Sequence, residues 1–162
     1  MAKKEEGYTE NNCINTMDEL FSKVESGDAE AQCTLGCLYY DGTIVKKSYA
    51  QSAKWLRKAA KQGHAVAQNN LGTLYLRGQG VPQSDTLAAE WYLKSAQQGF
   101  AEAQHSIAKM YLRGDGVPES VELGAYWLCM AAENGSEDAQ KTLDWILEIE
   151  KKYHLNDPED PE

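Results

Sequence analysis

Nowhere in the 162 residues do apolar side chains run on for the roughly 20 positions that a membrane helix requires, so no membrane span is predicted. Cysteine is scarce: Cys13, Cys33, Cys37 and Cys129 share no repeating spacing, which excludes a disulfide-stapled scaffold and reads as four reduced thiols. An excess of positive charge is missing too. Lys and Arg number 16 against 25 Asp and Glu, a net charge of −9, so the basic stripe of a nucleic-acid-binding domain is absent. Histidine occurs only at His64, His105 and His154, far apart, and no Gly-x-Ser-x-Gly, His-Glu-x-x-His or phosphate-loop pattern is present. Gly78-Gln79-Gly80 lacks the third glycine of a dinucleotide fingerprint and follows a helical pattern, so it reads as a turn. These absences predict no catalytic residue, no metal site and no cofactor: not an enzyme.

Two further absences are narrower. The opening Met1-Ala2-Lys3-Lys4-Glu5-Glu6 has cations but no apolar stretch behind them, which predicts a cytoplasmic location, with a secreted or periplasmic one as the alternative if a leader has been cleaved. Asn134-Gly135-Ser136 matches a glycosylation acceptor but falls where asparagine-glycine is expected to make a turn, and the turn is the preferred reading.

What is present is ordinary globular chemistry, 42% apolar and 25% charged residues, in a length that suits one domain. The acidity is concentrated at one end: residues 133–162 carry ten acidic and three basic side chains, while 27–132 are close to neutral.

The dominant feature is a period of 36 residues. It is marked by Gly27, Gly63, Gly99 and Gly135, by Ala31, Ala67, Ala103 and Ala139, and by Gln32, Gln68, Gln104 and Gln140. Leu35, Leu71, Ile107 and Leu143 keep the same register, as do Tyr39, Tyr75 and Tyr111, then Ala53, Ala89 and Ala125, then Trp55, Trp91 and Trp127. Each unit reads as two helices. The first, about 28–40 in unit one, spaces Ala31, Leu35, Leu38 and Tyr39 along one face and stops before Gly42, a glycine suited to the left-handed conformation beyond a helix end. The second, about 48–62, 84–98 and 120–134, follows a glycine and proline turn, with Ser84 or Ser120 placed to cap it. It is predicted to bury Ala53, Trp55 or Leu56, and Ala59 or Ala60 with their equivalents.

A helix pair cannot cover its own apolar face, so neighbours must stack and the ends need caps. Thr16-Met17-Asp18-Glu19 is similar to a capping box that opens a short helix with Leu20, Phe21 and Val24 inward. The predicted organisation is an N-terminal segment with this short helix (1–26), repeats at 27–62, 63–98 and 99–134, a C-terminal capping helix (135–155) and a disordered acidic tail (156–162).

The motif Ala-x3-Leu-Gly-x2-Tyr-x2-Gly-x-Gly-Val-Pro, then Ala-x-Trp-Tyr-x-Lys-x-Ala-x2-Gly, as it runs from Ala67 to Gly99, resembles the Sel-1-like repeat, a relative of the tetratricopeptide repeat. The resemblance implies an all-α, right-handed α-solenoid. Unit one departs from the motif, because Thr43-Ile44-Val45-Lys46 lacks the second glycine and the proline, which leaves its turn open to a different path. The family implies an adaptor or scaffold that binds a partner protein or peptide. The alternatives are a bacterial immunity or inhibitor protein that neutralises a secreted effector and, from another class, an enzyme or metal-handling protein.

In this architecture the first helices line the concave face, so their outward positions are the candidate partner surface. These are Tyr40, Asn69, Asn70, Thr73, Leu76, Arg77, His105, Lys109, Leu112 and Arg113, with Cys33 and Cys37 in the equivalent rows of unit one. Asparagine amides can bond a peptide backbone and the cations can pair with carboxylates, which favours an acidic or C-terminal peptide bound by a monomer. The competing readings are solvated helix charges for the polar set, and inter-helix packing for Tyr40, Leu76 and Leu112. Cys33 and Cys37 share a helix face, but His105 lies two units away, far beyond the roughly 2 Å of a metal–ligand bond, so they are predicted to be structural thiols.

Overall fold

A computed structural model of the chain describes residues 10–153, with side chains described over 17–148 and at Lys151. The helices are α1 (Glu10–Glu25), α2 (Ala29–Asp41), α3 (Tyr49–Lys61), α4 (Ala65–Arg77), α5 (Asp85–Ala96), α6 (Ala101–Arg113), α7 (Val121–Glu133) and α8 (Glu137–Tyr153). There is no strand among the described residues. The three predicted repeats are the pairs α2–α3, α4–α5 and α6–α7, each packing tightly within itself and then against the next in line. This is an α-solenoid. The acidic stretch 156–162 lies outside the described residues.

The 36-residue motif is visible in the helix ends. Ser48, Ser84 and Ser120 each accept a hydrogen bond at the side-chain oxygen, from the backbone N–H of Gln51, Leu87 and Leu123 at 3.3, 3.2 and 3.2 Å. Gly42, Gly78 and Gly114 end the first helices in the left-handed region. The turn of unit one, in spite of its different sequence, closes as the others do: Ser48 N–H donates to the Tyr39 carbonyl at 2.9 Å, matching Ser84 to Tyr75 at 3.0 Å and Ser120 to Tyr111 at 2.9 Å.

What unit one lacks is a neighbour. Gly80 and Gly116 have φ near +70°, and a Cβ on either would stand 2.3 Å from the backbone of Tyr49 or Asp85, where the preceding unit's second helix begins. Ile44 occupies the matching place in unit one and is 65% exposed, because no second helix of a repeat precedes it. The glycine is favoured by its left-handed backbone and required by the close approach at the joint between units.

Buried apolar side chains gather at these joints rather than in one centre. Val24, Ala31 and Leu35 join α1 to the first pair; Ala53, Leu56, Ala59 and Ala60 meet Ala67, Leu71 and Leu74 between the first and second. Ala88, Ala89, Tyr92 and Ala96 meet Ala103, Ile107 and Met110 between the second and third, and Leu128 and Ala131 meet Ala139 at α8. Every second helix is held between two first helices.

The ends depart from the sequence reading. Helix α1 spans Glu10–Glu25, so Thr16-Met17-Asp18-Glu19 lies inside it rather than opening it; no glycine or proline interrupts the chain over that span. Val24 is buried and Leu20 half-buried, but Phe21, about 100° around the helix from Leu20, is exposed. Ala125 is exposed where Ala53 and Ala89 are buried, and Trp55, Trp91 and Trp127 are only half-buried, with Leu56, Tyr92 and Leu128 taking the inner place. Ala53 and Ala89 are covered by the following pair, which the third pair does not have. Helix α8 buries Ala139 but leaves Trp145, Ile146 and Leu147 exposed.

The repeated glutamines stitch the units together. Gln68 and Gln104 are buried; each Nε2 donates 3.1 Å to the last turn of the preceding second helix, at the Ala60 and Ala96 carbonyls. Their Oε1 atoms accept from Gln98 Nε2 at 2.7 Å and Asn134 Nδ2 at 3.0 Å, within their own pairs. Among the described residues no second helix follows α8, and Gln140 Nε2 donates to Asp144 at 2.8 Å. The substitution Gln104→Glu removes a donor and buries a carboxyl. It is expected to destabilise by roughly 2 kcal/mol at pH 7. Burial raises the folded pKa of that carboxyl above its unfolded value, so the penalty is full above the folded pKa and shrinks as pH falls toward the unfolded one. Urea titrations of variant and wild type at pH 7 and pH 5 should show the gap narrowing; a gap that is constant with pH contradicts the burial of this position.

Candidate functional site

The first helices α2, α4 and α6 present a shared face, and side chains cross it from unit to unit. Arg77 Nη1, at the end of α4, donates to the Tyr40 hydroxyl on α2 at 3.0 Å. Asn70 Nδ2 donates to Cys37 Sγ at 3.5 Å, and Asn69 Nδ2 donates to Asn70 Oδ1 at 3.3 Å. Thr73 donates to the Asn69 carbonyl at 3.2 Å and exchanges a hydrogen bond of 2.9 Å with the Tyr92 hydroxyl on α5. Between α2 and α4 these groups enclose a pocket of about 380 Å³, lined by Cys37, Tyr40, Asp41, Leu56, Asn70, Thr73 and Arg77.

Of the ten residues predicted from sequence, Tyr40, Asn70, Thr73 and Arg77 therefore come together in one pocket, with Asn69 bracing its wall. Tyr40 is also held from its other side by an edge-on contact with Tyr49, centroids 5.4 Å apart, and by Lys47 Nζ 5.8 Å from its ring centre. It is a fixed wall of the pocket. Leu76 is 36% exposed and stays at the edge of the face.

His105, Lys109, Leu112 and Arg113 lie along α6, outside that pocket. Lys109 and Arg113 are exposed and make no ion pair among the described residues. Burial, and then the charge of Lys109, pull the His105 pKa below its ordinary value against the opposing pull of Asp138. His105 therefore adds no charge to this face at neutral pH, and the cations are Arg77, Lys109 and Arg113. Leu112 is committed to the α6–α7 contact, since a Cβ added to Gly124 would stand 2.5 Å from its Cδ2. That favours the packing reading for this residue. Cys33 is also not a surface group: it is buried at 4% exposure.

Two contributors were not legible as such in the sequence, since contacts across helices are not written in local sequence. Tyr92, whose phenol is pushed above its usual pKa by burial, stands behind Thr73, and Leu56 floors the pocket from α3. Asp41, which shares a repeat position with Arg77 and Arg113 and so falls in the same outward row, adds a carboxylate at the pocket edge. A larger apolar cleft of about 750 Å³ lies between α1 and α2, lined by Met17, Leu20, Ala31, Leu38 and Ile44 among others. It reflects the incomplete cover that α1 gives the first pair. Among the described residues no group of three or more His, Cys, Asp and Glu side chains is placed to hold a metal ion, and no helix is long and apolar enough to cross a membrane.

Comparison with known proteins agrees with this geometry. The Sel1 repeat model matches three times, at residues 29–64, 65–100 and 101–136. No curated protein matches the chain. Among solved structures, c5321 of uropathogenic Escherichia coli, a protective antigen displaying an SLR fold, is 38% identical with a TM-score of 0.74 over 77% of this chain. The matched part is only 27% of that antigen's own length. A Sel1 repeat protein from Oxalobacter formigenes is 36% identical with a TM-score of 0.74, covering 80% of this chain and 97% of that one. Cysteine-rich protein B of Helicobacter pylori, 20% identical with a TM-score of 0.62 over 76% of this chain and 94% of its own, shares the fold.

Proposed function

This chain belongs to the Sel1 repeat family, whose members generally mediate protein–protein interactions, and from that premise we propose that it is a scaffold holding an acidic peptide segment along the face of α2, α4 and α6. The observation that carries the reading is the row of uncommitted cations beside a polar pocket. Lys109 and Arg113 have no carboxylate partner among the described residues, and Arg77 is engaged only with the neutral Tyr40 hydroxyl. The amide of Asn70 and the hydroxyl of Thr73 offer hydrogen bonds to a peptide backbone in the same pocket. Arg77 and Arg113 share a repeat position, but Thr73 against Lys109 and Asn70 against Ser106 differ between units, while the joints behind them repeat. A rigid frame with variable outward positions is how a repeat array acquires specificity for one ligand.

The test is selection from a displayed library of C-terminal peptides. Enrichment of Asp- and Glu-rich sequences is expected, and the double substitution Lys109→Glu, Arg113→Glu should weaken the selected peptides roughly tenfold, about 1.4 kcal/mol. Peptides that bind the double variant with unchanged affinity would place the recognition elsewhere on the molecule.

A further inference from the structure

We propose that Cys37 is a covalent modification site, at which a small zwitterionic disulfide of the amino-acid or short-peptide class forms a mixed disulfide with its protein-bound half seated in the pocket between α2 and α4. The proposal concerns this thiol and the pocket that the peptide reading also uses, but it is argued from the thiol and the pocket lining alone, and its test contains no peptide.

Two thiols and an amide converge here. Cys33, one helical turn before Cys37, is buried at 4% exposure, and Cys37 itself is half-buried and opens into the pocket. Both cysteines stand on α2, and Asn70 Nδ2 donates to the Cys37 sulfur at 3.5 Å. A donor aimed at a sulfur favours its anionic form. The neighbouring Cys33 thiol, assisted by Asn70 and by the more distant His64, brings the Cys37 thiol down to about 7, against the opposing effects of burial and Asp41. Its partner moves the other way: the proximity of Cys37, then burial, push the Cys33 thiol well above the ordinary range, so Cys33 stays protonated. The other groups around the pocket are Tyr40, Leu56, Thr73 and Arg77.

The pocket sets the class of reagent. At about 380 Å³ it falls within the size of small-molecule sites, about 300–1,000 Å³. Arg77 offers a guanidinium for a carboxylate, Asp41 a carboxylate for an ammonium, and Asn70 and Thr73 hydrogen bonds for an amide. In the reaction the Cys37 thiolate attacks one sulfur of the small disulfide. The new sulfur–sulfur bond forms as the old one breaks, and the departing half leaves as a thiolate that takes up the proton Cys37 gave up. The Cys37 sulfur is oxidised, the released sulfur is reduced, and the small disulfide is the oxidant. The adduct persists because Cys33 cannot expel it. Residues four apart on a helix hold their Cβ atoms about 5–6 Å apart, whereas a disulfide needs roughly 3.5–4.5 Å.

The folded, reduced full chain is incubated with glutathione disulfide at pH 6 and the adducts are mapped by peptide mass spectrometry, with the exposed Cys129 on α7 as internal reference. At that pH the lowered pKa of Cys37 gives it more thiolate than an unperturbed thiol carries, only partly offset by its weaker nucleophilicity, so its rate should exceed that of Cys129. Arg77→Ala should reduce the Cys37 rate with glutathione disulfide while leaving its rate with the uncharged hydroxyethyl disulfide unchanged. A Cys37 rate no greater than that of Cys129, or one indifferent to Arg77→Ala, overturns the proposal.

Discussion

Leu71→Ala is expected to destabilise the protein by roughly 2–5 kcal/mol, the usual range for truncating a fully buried leucine. Leu71 has 0% exposure and stands at the joint of the first and second pairs, packed in one cluster with Leu56 and Ala60 from α3 and Leu74 from its own helix. The neighbours that would have to move into the vacated space are already small: Ala53, Ala59, Ala60 and Ala67 have no side-chain reach to fill it. The site therefore collapses poorly, which places the loss toward the upper half of the range. Urea denaturation followed by circular dichroism measures it, and a midpoint equal to wild type would mean that the joint is not where stability resides.

Gly80→Ala should cost at least about 3 kcal/mol despite adding one methyl group on a residue at the surface. Two penalties combine. A left-handed backbone at φ +71° disfavours any L side chain by about 1–2 kcal/mol. The added Cβ also meets the Tyr49 carbonyl carbon and oxygen at 2.3 Å, and backbone at a helix start cannot rotate aside as a side chain could. The clash is relieved only by lifting the second pair away from the first, which opens the joint that Leu71 fills. Ile44→Ala, at the matching place in unit one, is the control and should change the melting temperature little, since Ile44 is exposed and faces no preceding pair. A Gly80→Ala protein as stable as the control would refute the close approach.

Much of the fold was legible because the same signals occur three times over. A single Ser84 or Gly78 would be weak evidence of a helix end, but each recurs in register and each was found capping or terminating as read. The frame of the site followed as well: Asn70, Thr73 and Arg77 face α2 because helical spacing and unit order put them there. What failed was whatever depends on a neighbour that the period does not describe. Ala125 and Phe21 look like core residues by type and spacing, and are exposed because no helix pair among the described residues packs over them. The partner role of Gln68 was hidden for a similar reason. Its hydrogen bonds reach Ala60 at the end of α3 and Gln98 in the turn after α5, both outside the helix whose spacing defined the face. Leu112 was ambiguous in sequence and was decided by Gly124, a contact between helices.

The approach of Gly80 to Tyr49, and of Gly116 to Asp85, touches main chain rather than side chain. Such a seam is blind to which amino acids stand on the earlier unit, so it places almost no demand on the sequence it fastens. Duplicating or excising a block that carries this glycine, as units two and three do, leaves such seams intact, and the array can lengthen or shorten in one genetic step. The outward side chains are then free to diverge copy by copy, as Cys37, Thr73 and Lys109 already have.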